Sequence, residues 1–261
     1  SIKENETDPD LDAKALTLTT GVDTLTGKKG NDTFDGSTAG SLDTSDVIDG
    51  GEGTDTLSAT VVAESIRPTI KNVEKINFTA SANTGTLNID TRSITGVTEF
   101  TNESSIGASA VNNLATIPTF TINSASSAAD QTINFLDATL AGTSDELTIN
   151  LNNFGGASDI VVTDAGGTTN KLETIIFNST SLPSTVTDLR TNDGTDADVG
   201  TTTIKAIGDE LLTISTALDT SVTTVDSTGS TGGLVATGGT GTAMTMTGGS
   251  GPDTFTSTTG A

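Results

Sequence analysis

The chain has 261 residues, a formal net charge of −23, and no Cys, His, Trp or Tyr. Without Cys there is no disulfide framework and no thiolate metal site, and without His there is no imidazole for proton transfer near neutral pH. These absences exclude most familiar hydrolase sites, and the acidic excess makes nucleic acid an unsuitable partner. An apolar fraction of 32% is low for one thick core, so we expect an elongated β protein that responds to divalent cations.

Residues 1–14 are predicted to be an acidic linker. They lack the basic and then apolar pattern of a signal peptide, and no run of about 20 apolar residues occurs anywhere in the chain. We therefore predict no membrane insertion. Because the chain starts at Ser and stops within a repeat block, we expect it to be a fragment of a longer protein whose export signal lies elsewhere.

The block at 15–58 contains two glycine-rich runs, Gly27–Asp32 and Gly50–Asp55, each ending in an Asp two residues after a Gly. A small residue and then an apolar one follow, ending in Phe34 and Leu57. Glycine adopts positive φ at little steric cost, so such a turn can point several carbonyls at one place. Calcium takes six to eight oxygen ligands in irregular geometry. The pattern predicts calcium-binding turns joined to short strands.

The phase of these runs strengthens the prediction. Read in nines, 18–26 continues directly into 27–35, which places Asp23 at the position of Asp32. Likewise 41–49 continues into 50–58 and places Asp46 at the position of Asp55. We interpret consecutive units as coils in register, in which stacking and metal binding are one event.

From 59 to 228 the pattern changes to short runs with apolar residues two apart, typical of half-buried strands. Examples are Thr86–Asp90, Thr119–Asn123, Thr132–Leu136 and Glu146–Leu151. This Thr- and Asn-rich region is predicted to be a β-solenoid, with a β-sandwich as the alternative, and helix should be sparse at 130–140 and 208–217. The solenoid is preferred because repeat blocks flank the region.

The last block, 229–261, has the same pattern of glycines and aspartate before a strand as the first block. Here 239–247 leads in phase into 248–256, where Gly248–Asp253 precedes Thr254 and Phe255. We expect these repeats to continue beyond Ala261.

The units resemble the nonapeptide Gly-Gly-x-Gly-x-Asp-x-apolar-x of the RTX family of bacterial secreted proteins. Units 50–58 and 248–256 match every specified position, whereas 27–35 has Lys28 in place of the second Gly. The middle region resembles the β regions of RTX-type surface-layer (S-layer) proteins and adhesins. The resemblance implies an all-β fold of calcium-bound parallel β-roll or β-solenoid blocks flanking the middle region, and type I secretion to the bacterial cell surface.

The candidate ligands combine aspartates with neighbouring residues that shape the turn or offer oxygens. They are Asp23, Lys29, Gly30, Asn31, Asp32, Asp46, Gly51, Glu52, Gly53, Asp55, Gly249, Gly251 and Asp253. The alternative is that each Asp accepts hydrogen bonds from nearby backbone N–H groups. Weaker candidates for calcium are Asp145, Asp159 and the segment 194–198. Glu74, Glu99 and Glu173 follow similar phrases and form either a ligand ladder or solvent-facing positions.

No nucleophile elbow, phosphate loop, zinc motif or assignable carboxylate dyad occurs, so we predict that the chain is not an enzyme. The expected function is a structural module of a secreted S-layer protein that folds with Ca²⁺ and assembles with itself. A cell-surface polysaccharide is an expected partner of a region outside this chain. Two alternatives are an RTX adhesin segment that binds a surface glycan or ice, and the C-terminal repeat tail of an RTX protease or lipase.

Overall fold

A computed structural model describes residues 12–62, 65–81, 85–123, 130–164, 171–191, 200–239 and 243–257. Regular structure in these residues is almost entirely strand, with two short 3-10 helices at Thr91–Ser93 and Asp137–Leu140. The strands, in chain order, are β1 (Ala15–Thr17), β2 (Thr24–Thr26), β3 (Thr33–Gly36), β4 (Val47–Asp49), β5 (Thr56–Val61), β6 (Ser65–Ile66), β7 (Thr69–Lys71), β8 (Lys75–Ala80), β9 (Leu87–Asp90), β10 (Ile94–Thr95), β11 (Glu99–Glu103), β12 (Ser109–Leu114), β13 (Thr119–Asn123), β14 (Gln131–Phe135), β15 (Glu146–Asn152), β16 (Ile160–Asp164), β17 (Thr174–Ser179), β18 (Ser184–Val186), β19 (Leu189–Arg190), β20 (Thr203–Gly208), β21 (Leu212–Ala217), β22 (Thr224–Ser230), β23 (Leu234–Thr237), β24 (Thr245–Thr247) and β25 (Thr254–Thr256).

One long sheet contains eleven of these strands, in the order β1-β3-β5-β8-β11-β13-β15-β17-β20-β22-β24. The opposite face is built from three shorter sheets, β10-β7-β4-β2, β19-β16-β14-β12-β9-β6 and β18-β21-β23-β25. Strand pairs throughout the described residues are parallel, as between β15 and β17 or β2 and β4. A β-sandwich is built from antiparallel sheets, so the alternative for the middle region is wrong and the predicted all-β solenoid is confirmed.

Strict alternation of side chains explains why these segments form strands. In β15 the apolar residues Leu147, Ile149 and Leu151 are fully buried, whereas Glu146 and Thr148 point outward. Successive side chains of a strand face opposite sides, so one row enters the core and the next faces water. The predicted strands at 119–123 and 146–151 correspond to β13 and β15. The segments expected to be poor in helix carry β14 and β21, with one 3-10 turn.

The core is a set of buried rows that run along the solenoid axis. One row passes from Phe100 to Phe120, Ile149 and Phe177 through direct partners on neighbouring strands. The Phe100 and Phe120 rings are stacked, with centroids 5.6 Å apart. Burying each such side chain stabilises the fold by roughly 1.5–3 kcal/mol relative to exposure. Each coil thereby depends on its neighbours, as in other solenoids.

Coil length varies while the strand stacking is retained. Residues bonded across adjacent coils are 18 positions apart for Lys14 and Asp32, and 29 apart for Asp130 and Asp159. Strand β5 crosses the predicted 58/59 boundary, so the long sheet joins the first repeat block to the middle region without a break. Among the described residues, no helix has the length and apolarity that crossing a bilayer requires.

The repeat units are half-coils, which corrects one interpretation of the sequence. Strand β2 pairs with β4 and strand β3 with β5, so the units 18–26 and 27–35 lie on opposite faces of the solenoid. They are therefore the two halves of one coil rather than two stacked coils. The reason is that each nine-residue unit contains one turn and one strand, and a closed coil needs two of each.

Candidate metal centre

All five candidate aspartates lie at coil corners, each directly before a strand. Asp23 precedes β2, Asp32 precedes β3 and Asp46 precedes β4. Asp55 precedes β5, and Asp253 precedes β25 in the last coil described. Because β2 pairs with β4 and β3 with β5, the fold stacks Asp23 on Asp46 and Asp32 on Asp55.

One carboxylate oxygen of Asp46, of Asp55 and of Asp253 joins two coils. The Asp23 amide donates to Asp46 Oδ1 at 2.9 Å, and the Asp32 amide donates to Asp55 Oδ1 at 2.7 Å. In the last coil, Asp253 Oδ1 accepts from the Leu234 amide at 2.9 Å. In these three contacts the donor belongs to the earlier coil and the carboxylate to the later one.

The other oxygen usually caps its own turn. Asp23 Oδ2 accepts from the Thr19 amide at 2.7 Å, and Asp46 Oδ2 from the Asp43 amide at 2.8 Å. Asp253 Oδ2 accepts from the Gly249 amide at 2.8 Å. The Lys28 amide makes the equivalent contact with Asp32 Oδ2. This is the turn hydrogen bonding that the sequence left as the alternative to metal ligation.

Asp55 is the exception. Its side chain is fully buried, and Oδ2 has no hydrogen-bond partner in the structure. An unpaired buried carboxylate oxygen costs free energy, because burial has removed the water that would solvate it. Of the five aspartates, Asp55 is thus the one with an oxygen left for a cation.

Glycines around Asp55 bring further oxygens close. A Cβ on Gly50 would lie 1.8 Å from the Asn72 carbonyl oxygen and 2.3 Å from Asp55 Oδ2. Gly51 has φ +100° and lies against the Lys28 carbonyl, and Gly53 has φ +119° and lies against the Gly30 carbonyl. A side chain at any of these positions would collide with the nearby carbonyl oxygen. At Gly50 the absence of a side chain therefore lets the Asn72 carbonyl oxygen and Asp55 Oδ2 approach the same stretch of backbone.

The other candidate residues at this corner make contacts between coils. Asn31 Oδ1 accepts from the Thr54 amide at 2.9 Å, and the Glu52 amide donates to the Lys28 carbonyl at 2.9 Å. The side chains of Lys29 and Glu52 are exposed. At the far end, a Cβ on Gly249 would lie 2.2 Å from the Ser227 carbonyl, and one on Gly251 would lie 2.4 Å from the Gly233 amide.

The corner charges are crowded. Burial raises the pKa of Asp46 and of Asp55, and the charge of neighbouring carboxylates raises it further. For Asp55 these neighbours are Asp32, Glu74 and Asp49, while the hydrogen bond from the Asp32 amide acts in the opposite direction. The ionised corner is thus strained electrostatically, and a bound cation would relieve that strain.

Glu74 and Glu173 occupy the position of the aspartate in coils without a glycine turn. Glu74 Oε2 accepts from the Asp55 amide at 2.7 Å, and Glu173 Oε2 accepts from the Asp145 amide at 2.8 Å. Their position could have been recognised from the sequence, because Glu74 and Glu173 each end a similar phrase, Asn72-Val-Glu74 and Lys171-Leu-Glu173, directly before a strand, β8 and β17. Glu99 lies instead on the outer face, where it contacts Thr121.

The weaker calcium candidates are placed differently. Asp145 Oδ2 accepts from the Gly142 amide at 3.0 Å, which repeats the turn-capping contact. Asp159 is ion-paired with Arg190, and its amide donates to Asp130 Oδ1 at 2.9 Å. The segment 194–198 lies outside the described residues.

The donor set at corner 50–55 fits a hard cation held mainly by backbone oxygens. No cluster of three or more acidic side chains within the described ranges has the geometry to hold a metal. The available ligands are one free carboxylate oxygen and surrounding carbonyls, the donor types that calcium accepts. No family model matches the chain, and comparisons with curated proteins and with solved structures gave no match.

Proposed function

We propose that this chain is a structural module of a secreted bacterial S-layer protein, in which Ca²⁺ stabilises the coil corners and promotes assembly into a cell-surface lattice. The observation that carries the proposal is corner 50–55. There a buried carboxylate oxygen without a partner lies beside Gly50, whose Cβ position would be 2.3 Å from that oxygen and 1.8 Å from the Asn72 carbonyl oxygen. The RTX-like glycine pattern and the acidic composition support the same conclusion.

In this proposal the chain's own residues hold two coils at a fixed spacing and the cation supplies the missing positive charge. Amides of one coil already bond to carboxylates of the next, so the backbone is aligned before metal binds. Asp32, Asp55 and Glu74 stack in three successive coils, where their like charges repel. Calcium binding to the folded corner would couple metal occupancy to folding.

Calcium titration tests the proposal. Isothermal calorimetry and circular dichroism on the 261-residue chain should show binding accompanied by a rise in Tm. Asp55→Asn removes the unpaired charge with little change in shape, and we expect at least one site to weaken about tenfold or more, a loss of about 1.4 kcal/mol. The matched control is Asp35→Asn, which changes an exposed aspartate in the neighbouring strand.

Equal calcium affinity in Asp55→Asn, Asp35→Asn and the parent chain would contradict the assignment of the corner. No binding in the parent chain at millimolar calcium would contradict the proposed function as a whole.

The adhesin alternative is favoured by a separate observation on the long sheet. Its outer face carries a bonded row of polar side chains, in which Asn150 donates to Thr121 at 3.1 Å and Asn178 donates to Asn150 at 3.0 Å. A regular polar row suits a repeating ligand such as a glycan or ice. Retention on immobilised polysaccharide, or shaping of ice crystals, without formation of ordered sheets would favour this function over the lattice. The alternative of an RTX protease or lipase tail requires a catalytic domain upstream of this chain, and the coding sequence upstream of the chain tests that requirement.

A further inference from the structure

Within the described residues, acidic side chains of the middle region have basic partners and the corner aspartates of the first block do not. Where both partners are described, every ion pair lies between positions 67 and 205, and the pairs are Arg67–Asp90, Arg92–Asp90, Lys75–Glu99, Arg190–Asp159, Arg190–Asp188 and Lys205–Glu146. In the first block, the Lys14 ammonium donates to the Thr26 carbonyl at 3.0 Å rather than to a carboxylate. The two regions therefore differ in how their negative charge is neutralised.

Arg190 lies at a corner where three aspartates stack. Asp130, Asp159 and Asp188 directly precede β14, β16 and β19, which are neighbours in one sheet. The Arg190 guanidinium bonds through Nη2 to Asp159 of the preceding coil, and its Nε lies 3.5 Å from Asp188 Oδ2 of its own coil. The Asp159 amide donates to Asp130 Oδ1 at 2.9 Å. One cationic side chain thus joins two coils at the place where like charges meet.

The three carboxylates act on this guanidinium together. The hydrogen bond with Asp159 raises the pKa of Arg190, partial burial acts in the opposite direction, and the charges of Asp159, Asp188 and Asp130 raise the pKa further. Because a guanidinium is protonated at neutral pH, the corner has a permanent positive charge. At corner 50–55, by contrast, burial and the charges of neighbouring carboxylates raise the pKa of Asp55.

The chemistry of the Arg190 corner suits a guanidinium better than a metal ion. Within the described residues, Asp130, Asp159 and Asp188 do not form a group that could hold a metal. A guanidinium is planar and presents five donors, so it can bond to carboxylates at different heights along the stack. Its charge is fixed to the chain, whereas a metal ion must be taken from solution.

We infer that Arg190 is a built-in counter-ion for the corner of Asp130, Asp159 and Asp188, which lets the middle of the solenoid keep its coil stacking without a metal ion. The corners of the first block, where the described residues offer no such partner, are then the part of the chain that responds to calcium. Removing calcium loosens the coils around Asp55 and leaves those around Asp159 folded. This division of the chain rests on the proposed function, whereas the role of Arg190 does not.

Hydrogen exchange of single amides, measured by NMR on the 261-residue chain, tests the inference. Two reporter amides bond across the Arg190 corner, where Gln131 donates to the Asp159 carbonyl at 2.9 Å and Ile160 donates to the Asp188 carbonyl at 3.0 Å. Replacing millimolar calcium with chelator should change their exchange rates by less than about twofold, since their local stability does not depend on metal.

Two further reporter amides bond across the first block. Asp32 donates to Asp55 Oδ1 at 2.7 Å, and Thr56 donates to the Asp32 carbonyl at 2.9 Å. In chelator their exchange should become faster by about tenfold or more, the factor expected when calcium had been present at ten times its Kd.

Three arginine variants test the role of Arg190. Arg190→Gln removes the charge, and exchange at Gln131 and Ile160 should become about two- to fivefold faster in calcium and in chelator alike, the range for a partly exposed ion pair. Arg190→Lys keeps the charge and should recover part of the protection. Arg92→Gln is the matched control, because Arg92 pairs with Asp90 two positions away in the same coil, and it should leave both amides unchanged.

Equal exchange at Gln131 and Ile160 in Arg190→Gln and the parent chain would overturn the role of Arg190. So would exchange in Arg190→Lys as fast as in Arg190→Gln, because the loss would then come from packing and not from charge. An effect of chelator on these two amides as large as that on Asp32 and Thr56 would overturn the division of the chain. Unchanged rates at all four amides would contradict the proposed calcium function and the division with it, while the arginine variants still decide the role of Arg190.

Discussion

Replacing Gly50 with Ala should open the solenoid at a corner. A Cβ there would lie 1.8 Å from the Asn72 carbonyl oxygen, and Cβ atoms essentially never approach such atoms within 3.0 Å. The next coil must therefore move away by about 1.2 Å, the difference between the two distances. The closest atom is a backbone carbonyl oxygen, so moving a side chain cannot relieve this contact.

The displacement acts on three bonds between the two coils. Gly50 donates to Lys71 at 2.9 Å, Asp55 to Glu74 at 2.7 Å and Lys75 to Asp55 at 3.0 Å. An added 1.2 Å puts each pair beyond bonding distance. At about 1 kcal/mol for each bond, the loss is about 3 kcal/mol. For a chain of this size that lowers Tm by about 6–12 °C.

Thermal unfolding followed by circular dichroism in chelator measures this effect without the contribution of metal. Two glycine variants serve as controls. A Cβ on Gly155 would meet nothing within 4 Å, and one on Gly21 would meet only the Thr19 hydroxyl at 3.7 Å. Both should stay close to the parent Tm or rise slightly. If Gly50→Ala unfolds within about 1 °C of these controls, the reasoning from coil contact is refuted.

Three further predictions concern charge and core packing. In chelator, the free energy of unfolding should rise as pH falls from neutral toward 3.8, the ordinary pKa of Asp. The reason is that the pKa of Asp46 and of Asp55 is raised in the folded state, so that the folded state binds more protons than the unfolded state in that pH window. A flat profile of Tm against pH would contradict this prediction. Glu74→Gln keeps an oxygen that accepts from the Asp55 amide and removes one of the negative charges near Asp55. Its Tm in chelator, measured by differential scanning fluorimetry, should therefore exceed the parent value, and a lower Tm would contradict the reasoning. Phe100→Ala removes a buried ring stacked on Phe120 and should cost about 3–5 kcal/mol in urea unfolding, whereas Leu182→Ala, half exposed, should cost less than about 1 kcal/mol.

Alternation predicted the strands, and the flanking repeat blocks favoured a solenoid over the β-sandwich that the same alternation allows. The segment 119–123 was predicted as a strand because Phe120 and Ile122 alternate with polar residues, and both are buried in β13. The repeat phase also identified Asp55 as a corner residue. These features are local, since they depend on side chains within a few residues of each other.

Contacts between coils could not be predicted from such local patterns. Asp32 meets Asp55 because one coil happens to contain 23 residues, and that length varies from coil to coil. Glu74 was not distinguished from an outward-facing Glu99, because both follow similar phrases and only their neighbours differ. The stacking register depends on corner length, which composition does not encode.

The variation in corner length has a practical consequence. Strands keep their parallel partners whether the bonded residues of adjacent coils are 18 or 29 positions apart, so extra residues at a corner leave the pairing intact. Foreign peptides grafted between β14 and β15, within the 29-residue step from Asp130 to Asp159, should therefore be displayed without refolding the scaffold. The solenoid therefore combines strands that keep their pairing with corners whose sequence can be exchanged.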